Sequence, residues 1–220
     1  MEEWNTWRMD ASHSLPNLPD PLDVATEIAK AIGHRTRLLA LERLAQRPCA
    51  VTELARMLGL SITTLSAQLQ VLRAAGLVVA TRTGTTVHYA LVSDEVAQLV
   101  AALLATTVRV RVDARDALAA RLPKGAVFAV SAAELNPGVV LVDVRPAEEF
   151  AFGHLDGAIN IPLDELPARL AELPRNSPVV LYCRGRLCTL SHRAAQILAD
   201  EGLEVSVLET GQLERRGEAA

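Results

Sequence analysis

The sequence predicts two domains of different fold class, a mostly α-helical domain that ends in a β-hairpin and an α/β domain built on a parallel sheet. Helical periodicity dominates the first half, and one strand-like stretch over 77–91 interrupts it. After residue 126, short apolar strands alternate with helical segments, which is typical of parallel sheets. Pro123-Lys124-Gly125 lies between the two patterns and indicates a domain boundary.

Composition supports this division. A length of 220 residues suits one or two domains, and 50% of the residues are hydrophobic, which is enough for two cores. No apolar run approaches the ~18 residues of a membrane span, and the acidic start MEEWNTWRMD does not look like a secretory signal. The 3 cysteines, an odd number, do not indicate a disulfide framework, so we expect a cytoplasmic protein with reduced thiols and no membrane partner.

The first domain is predicted over 23–122, after a flexible proline-containing tail over 1–22. Helices are expected at 23–33, 36–46, 52–58 and 62–75; Pro48 breaks the second, Gly59 ends the third and Ser61 caps the fourth. Strands at 77–79 and 87–91, joined by a turn at 82–85, complete a winged helix-turn-helix plan. A long helix over 93–122 carries an apolar stripe that suits a dimer seam.

The second domain is predicted over 126–214, with a short tail over 215–220. Strands are expected at 128–130, 139–144, 179–182 and 204–208, and Ser131 caps a short helix at 132–135. An amphipathic helix follows the third strand, with its apolar side chains at helical spacing: Leu190, Ala194, Ile197 and Leu198.

The winged segment resembles the ArsR family of dimeric transcriptional repressors over about Val24–Thr107, most specifically in LQVLRAAGLV, Leu69–Val78. The resemblance implies a homodimer that binds double-stranded operator DNA, with the recognition helix Ile62–Arg73 in the major groove. The side chains expected to reach bases or phosphates are Thr63, Thr64, Ser66, Gln68, Arg73 and Arg82. The alternative is a plain solvated helix face, because 23–95 carries eight Lys or Arg against six Asp or Glu, a net charge of only +2.

Metal sensing is not expected in this domain. The paired Cys-x-Cys of metal-sensing family members would fall at Ala50 and Thr52, and Cys49 stands alone one position away. A single thiol without further ligands does not make a closed tetrahedral site. We therefore predict no metal and no cofactor.

A thiol-containing loop follows the apolar strand Val179–Tyr182: Cys183, Arg184, Gly185, Arg186, Leu187, Cys188 and Thr189. Cys183 stands at the carboxyl end of a strand and faces a helix N-terminus, where main-chain amides and the helix dipole stabilise negative charge. Arg184 and Arg186 add positive charge. We therefore predict that Cys183 is a reactive thiolate, with a small buried hydrophobe as the alternative.

This loop, together with LVDVRPAEEFAFGHLDGAINIP at Leu141–Pro162, resembles the rhodanese (sulfurtransferase) family. The resemblance implies a rhodanese-like α/β domain in which Cys183 carries the transferred sulfur. Asp143 and Arg145 are interpreted as a buried polar pair that ties the strand end to the loop. His154 is interpreted as a residue that positions the fold and not as a base, because a thiolate is already nucleophilic near neutral pH.

Two positions of the loop depart from related families. Phosphatases with a similar loop need arginine six places after the cysteine, and Thr189 stands there. Single-domain rhodaneses have arginine five places after the cysteine, and Cys188 stands there. Either Cys188 packs under the loop, or it attacks the modified Cys183 and forms a disulfide.

Three functional hypotheses follow. The first is a repressor that takes up sulfane sulfur from thiosulfate, a polysulfide or a persulfide on Cys183 and changes its operator affinity. The second is a thiosulfate sulfurtransferase that passes sulfur to a thiol acceptor, with an N-terminal domain that mainly dimerises it. The third is a repressor with a catalytically idle rhodanese module for protein interaction.

Overall fold

The structure, a computed structural model, describes residues 18–123, 129–131, 135 and 138–216. Its first domain is helical with a small β-wing, and its second is a parallel sheet with helices, so the predicted fold class is confirmed. Most of the predicted tail over 1–22 and the whole linker core over 124–128 lie outside the described residues. None of the described helices has the length and apolar character needed to cross a membrane.

The first four helices are α1 (Pro21–Ile32), α2 (Arg35–Leu44), α3 (Val51–Leu58) and α4 (Ile62–Ala74). Helix α1 begins two residues inside the predicted tail, because Asp20 caps the Leu22 amide at 2.7 Å and a proline is favoured at the first helical position. Ser61 caps α4 through the Thr64 amide at 3.0 Å. Gly59 ends α3 in the left-handed conformation, with φ of 66°.

The wing consists of β2 (Val78–Thr83) and β3 (Thr86–Leu91), and Gly84 makes the tight turn between them with φ of 61°. A third strand, β1 (Cys49–Ala50), pairs with β3 and was not predicted, because two residues are too few to show a period. Strand β1 places Cys49 in the core of the domain, at 2% exposure.

The predicted single helix over 93–122 is wrong at one point. The structure has two helices, α5 (Asp94–Val110) and α6 (Val112–Ala119), separated by Arg111 in an extended conformation. β-branched residues crowd the break, namely Thr106, Thr107, Val108, Val110 and Val112, and their restricted side-chain rotamers disfavour helix. The bend turns α6 toward the second domain, so that α6 forms part of the wall of a cavity beside the thiol loop.

The second domain has five described strands in the order β4-β8-β7-β5-β6, all parallel. They are β4 (Ala129–Val130), β5 (Val140–Asp143), β6 (Ile159–Asn160), β7 (Val179–Tyr182) and β8 (Val205–Leu208). The helices are α7 (Ala147–Phe152), α8 (Leu190–Asp200) and α9 (Gln212–Arg215), with two 3₁₀ turns at Leu166–Ala168 and Leu170–Glu172. The predicted helix at 132–135 lies almost wholly outside the described residues, as do 217–220 of the predicted tail.

Helix α9 links the two domains. Its Leu213 is buried among the core residues of the first domain, although it belongs to the second in sequence. The Arg216 guanidinium, just beyond α9, lies 2.5 Å from the Asp94 carboxylate at the start of α5 and also donates to the Ala45 carbonyl. The second domain is therefore anchored on the first domain through its C-terminal end.

Candidate functional site

The thiol loop connects strand β7 to helix α8 at the carboxyl edge of the sheet. Cys183 directly follows β7 and is 3% exposed. Its sulfur lies 3.3 Å from the Ser191 hydroxyl, and its S–H donates to the Cys188 carbonyl at 3.7 Å. The Cys188 amide donates to the Gly185 carbonyl at 2.9 Å, which closes the loop into a tight turn. Cys183 and Cys188 are consequently neighbours within one loop.

The two thiols ionise in an order that the sequence does not predict. Burial, with the neighbouring Cys188 thiol, raises the pKa of Cys183 well above its usual value. The hydrogen bond from Cys183, with smaller contributions from main-chain amides and the Arg184 charge, lowers the pKa of Cys188 to about 6 against opposition from burial. The surroundings therefore favour the thiolate on Cys188, where the sequence predicts it on Cys183. The reason is that Cys183 is enclosed and donates its proton toward its neighbour.

The two loop arginines do not form the free positive rim that the sequence predicts. Arg184 makes a bidentate ion pair with Glu149, which is 5% exposed, at 2.6 Å. The ion pair compensates part of the Arg184 charge, and the remainder contributes to the lowered pKa of Cys188. Arg186 lies 3.6 Å from Glu209, and its Nε is buried without a hydrogen-bond partner among the described residues.

Helix α9 supports the loop from behind. The Gln212 amide donates to the Cys183 carbonyl at 3.0 Å, and the Leu213 amide donates to the Arg184 carbonyl at 2.8 Å. The Glu214 carboxylate accepts from the Arg186 amide at 3.0 Å, so one loop amide is not free for an anion. Sequence reasoning missed Glu214, because its role depends on the C-terminal segment folding back onto a loop 28 residues earlier.

Asp143 and Arg145 form a fully buried ion pair at 2.6 Å beneath the loop, at the end of β5. Arg145 also donates to the Gly153 carbonyl at 2.8 Å and to the Gln46 side-chain oxygen at 3.0 Å. Gln46 lies just after α2 in the first domain, is 1% exposed, and donates to the Arg184 carbonyl at 3.4 Å. One buried side chain of the first domain thus contacts both the supporting pair and the thiol loop. No local pattern in the sequence marks Gln46 for this role.

The remaining predicted site residues in the second domain have distinct surroundings. His154 is exposed, stacks on Phe150 with ring centroids 3.8 Å apart, and has Nδ1 3.0 Å from the Phe150 carbonyl. It lines a separate cavity of about 710 Å³ that does not include the thiols. Thr189 occupies the position before α8, and Leu187 is half-buried in the loop.

A cavity of about 450 Å³ opens beside both thiols. The second domain supplies one wall, from the thiol loop, the start of α8 and the end of β8. The opposite wall comes from α5 and α6 of the first domain. His192 faces the cavity, and burial lowers its pKa. Among the described residues, no group of three or more His, Cys, Asp or Glu side chains could hold a metal ion.

The predicted DNA contacts cluster on α4 and the wing. Thr63, Arg73 and Arg82 are exposed. The Thr64 hydroxyl lies 2.8 Å from Ser61, and the Gln68 oxygen accepts from Arg37 at 2.9 Å, so both have partners within the domain. Ser66 is half-buried on the same helix.

Each domain matches the model of a known family, and one known relative matches most of the chain. The model of the bacterial regulatory protein arsR family matches residues 34–79, and that of the rhodanese-like domain matches 129–214. The HTH-type transcriptional regulator Rv0324 of Mycobacterium tuberculosis is 40% identical over 201 residues, covering 89% of this chain and 88% of that protein.

Two further relatives each match one part of the chain. The HTH-type transcriptional regulator NmtR of Mycobacterium tuberculosis is 38% identical over 87 residues, covering 38% of this chain and 72% of that protein. A sulfurtransferase of Allochromatium vinosum is 36% identical over 64 residues, covering 29% of this chain and 58% of that protein.

Proposed function

The chain belongs to the ArsR family of winged-helix, DNA-binding transcriptional regulators and carries a rhodanese-like domain, and on that premise we propose that it is a sulfur-responsive repressor. Its operator affinity changes when the pair Cys183 and Cys188 takes up sulfane sulfur. One observation carries this proposal: the thiols of Cys183 and Cys188, neighbours in one loop, border a cavity whose far wall belongs to the DNA-binding domain, and the pKa of Cys188 is lowered to about 6.

The chemistry starts at the ionised thiol. The Cys188 thiolate attacks the outer sulfur of a sulfane donor, the donor's S–S bond breaks, and the donor leaves as a thiolate or as sulfite. Cys188 then carries a persulfide. The Cys183 sulfur attacks the inner sulfur of that persulfide, a disulfide forms, and hydrosulfide leaves with the Cys183 proton. This order reverses the prediction that Cys183 takes the sulfur first, and it follows from which thiol ionises first.

The loop is connected to the DNA-binding domain by short, buried contacts. Helix α9 holds the carbonyls of Cys183 and Arg184 and places Leu213 in the core of the first domain. Gln46 contacts the Arg184 carbonyl from the other side. A sulfur atom or a disulfide in the loop would shift these carbonyls and so bias the arrangement of α2 and α5. A tenfold change in operator affinity requires ~1.4 kcal/mol of coupling.

The repressor is proposed to act as a homodimer. Leu99 and Leu103 lie on α5 and are 43% and 40% exposed, which is unusual for leucines on a mainly apolar helix. Covering them with a second copy would bury apolar surface and place two recognition helices on one operator.

The test is a DNA-binding titration with mass analysis on the same sample. Operator fragments are first selected from a random DNA library with the untreated protein. Fluorescence anisotropy then measures affinity before and after polysulfide treatment, and intact mass reports added sulfur or loss of two hydrogens. We expect treatment to change affinity in the parent and not in Cys188→Ser. Cys49→Ala is the matched control, because burial raises the pKa of that thiol to about 11 and it lies away from the cavity.

The outcomes separate the hypotheses. Sulfur uptake with catalytic turnover and unchanged operator affinity would support a sulfurtransferase instead. Unmodified thiols with intact operator binding would leave a repressor with an idle rhodanese module. Persulfide found on Cys183 in Cys188→Ser at the parental rate would overturn the order of attack proposed above.

A further inference from the structure

We propose that the cavity beside the thiols selects low-molecular-weight organic persulfides that carry a negative charge, and that Arg109 and Arg115 of the DNA-binding domain hold this charge. The inference rests on the proposed function, since it names the donor class for the same cysteine pair. It assigns donor recognition in part to the helices that follow the wing, and not to the rhodanese-like domain alone.

The size of the cavity favours an organic donor. Its volume of about 450 Å³ lies within the ~300–1,000 Å³ typical of small-molecule sites. A thiosulfate ion would fill only a small part of that space, and water would occupy the rest. A persulfide R–S–SH can place its sulfur at Cys188 while the R group spans the distance to α5 and α6.

The charges lining the cavity favour an anion. Arg109, Arg115 and Arg186 face it, against the single carboxylate of Glu209. Within the part of the chain that the structure describes, Arg109 and Arg115 form no ion pair, unlike Arg111, which lies between them and pairs with Asp113 at 2.7 Å. Unpaired guanidinium groups around a partly enclosed space attract carboxylates and sulfonates.

The rest of the lining is apolar. Leu118 on α6 and Leu122, three residues beyond its end, are half-buried, and Leu208 at the end of β8 is 4% exposed. These side chains can contact the carbon chain of an R group between its sulfur and its charged end. The cavity is therefore apolar in its middle and positively charged at the wall formed by α5 and α6. At the edge of the sheet it is bordered by the Cys188 thiol.

The transfer step is balanced without a further reactant. The Cys188 thiolate attacks the terminal sulfur of R–S–SH, the S–S bond of the donor breaks, and R–S⁻ leaves while Cys188 becomes Cys188–S–SH. One negative charge is present before and after the step. The anionic R group stays near Arg109 and Arg115 throughout, so these arginines position the donor and do not take part in bond making.

The experiment compares two persulfides on the parent and on a charge variant. Glutathione persulfide serves as the anionic donor and 2-hydroxyethyl persulfide as the neutral donor, and quenched intact-mass analysis gives the rate of sulfur uptake. The double variant Arg109→Gln with Arg115→Gln should take sulfur from the anionic donor about fivefold more slowly, as expected for two partly screened charge contacts. Its rate with the neutral donor should stay unchanged, and added salt should slow only the parent with the anionic donor.

The control variant removes the same charge from the same helical region. Arg111→Gln with Arg121→Gln changes two arginines that do not line the cavity, and its rates should match those of the parent. The inference would be overturned if the parent took up sulfur from the two persulfides at equal rates. It would also be overturned if the Arg109/Arg115 variant took up sulfur from both donors more slowly by the same factor. Either result would leave the proposed function intact. A parent that takes up no sulfur from either persulfide or from inorganic polysulfide would overturn the proposed function itself.

Discussion

At the scale of residues, Cys183 and Cys188 differ in how readily each thiol ionises, and this difference sets where the proposed sulfur chemistry starts. Cys183 occupies the position that the rhodanese resemblance marks for the sulfur carrier, but burial disfavours its charged form. Cys188 stands where related single-domain enzymes have arginine, and it gains the hydrogen bond that stabilises a thiolate. In the proposed mechanism, a second thiol in place of a cation therefore makes Cys188 the nucleophile instead of Cys183.

The pH dependence of alkylation tests this order. In a Cys49→Ala background, iodoacetamide should label Cys188 with a rate that rises through pH about 6 and is already high at neutral pH. The sign follows from a lowered pKa: the reactive anion persists down to about pH 6 and is lost below it. In Cys188→Ser, Cys183 should stay unreactive until well above pH 9, since burial raises its pKa from a usual value of 9.0. A parental profile centred at the value of a free cysteine would contradict the assignment.

The buried pair under the loop should matter for stability. Arg145→Met leaves the Asp143 carboxylate without its partner in a site of 0% exposure, which should lower the free energy of unfolding by ~3–5 kcal/mol. Urea unfolding followed by circular dichroism measures the change. Arg169→Gln removes a surface ion pair as a control and should leave the midpoint nearly unchanged. Similar midpoints for the two variants would argue against a structural role of the buried pair.

At the scale of elements, the turn into α9 is built around a glycine. A Cβ on Gly211 would overlap the Cys183 carbonyl and lie 2.5 Å from the Gly185 nitrogen, so the turn and the thiol loop can approach this closely only without a side chain. The wing and recognition helix, in contrast, are held by local capping and pairing.

Gly211→Ala should therefore displace the thiol loop. We expect slower sulfur uptake on Cys188 and a loss of ~1–3 kcal/mol in the free energy of unfolding, typical of forced overpacking. Intact-mass kinetics and urea unfolding measure the two effects. Operator affinity of the untreated protein should change little, and parental uptake kinetics in the variant would show that the close approach is dispensable.

The wing offers a test of DNA contact. Arg82 is exposed, and its Nε donates only to the Gly84 carbonyl at 3.0 Å within the turn. Arg82→Ala should weaken binding about equally for all DNA sequences and reduce the slope of log affinity against log salt by ~1, as expected for one phosphate contact. An unchanged slope would show that Arg82 makes no phosphate contact with DNA. Arg121→Ala, in the turn after α6 and away from the wing, serves as the charge-matched control.

At the scale of the whole molecule, the two domains share buried contacts, and Gln46 is central among them. It joins the end of α2 to Arg145 and to the Arg184 carbonyl, across sequence separations of 99 and 138 residues. Gln46→Leu should keep sulfur uptake but bring the ratio of operator affinities before and after polysulfide close to one. Anisotropy titrations on treated and untreated protein measure this ratio. Gln196→Leu, which removes a bond to Asp200 within one helix, should keep the parental ratio.

The features predicted from sequence are those coded by neighbouring residues. Helical periodicity, the Gly59 and Ser61 caps and the Gly84 turn fix the winged domain, and the run Val179–Tyr182 marks the central strand, because each signal depends on residues a few places apart. The resemblance of two motif sets then led to the family, which the comparisons confirm. The sequence alone also identifies Cys183 and Cys188 as candidate site residues.

Only the tertiary structure determined the burial, the charge and the contacts of those residues. Which thiol ionises more readily depends on the burial of Cys183, which raises the pKa of that thiol, and Arg184 is positioned by an ion pair with Glu149, 35 positions away. The break at Arg111 turns α6 over the thiols and creates a cavity shared by both domains. Burial and electrostatic energies depend on distance in space and not along the chain, so a linear pattern could place the thiols but could not assign their charge or their partners.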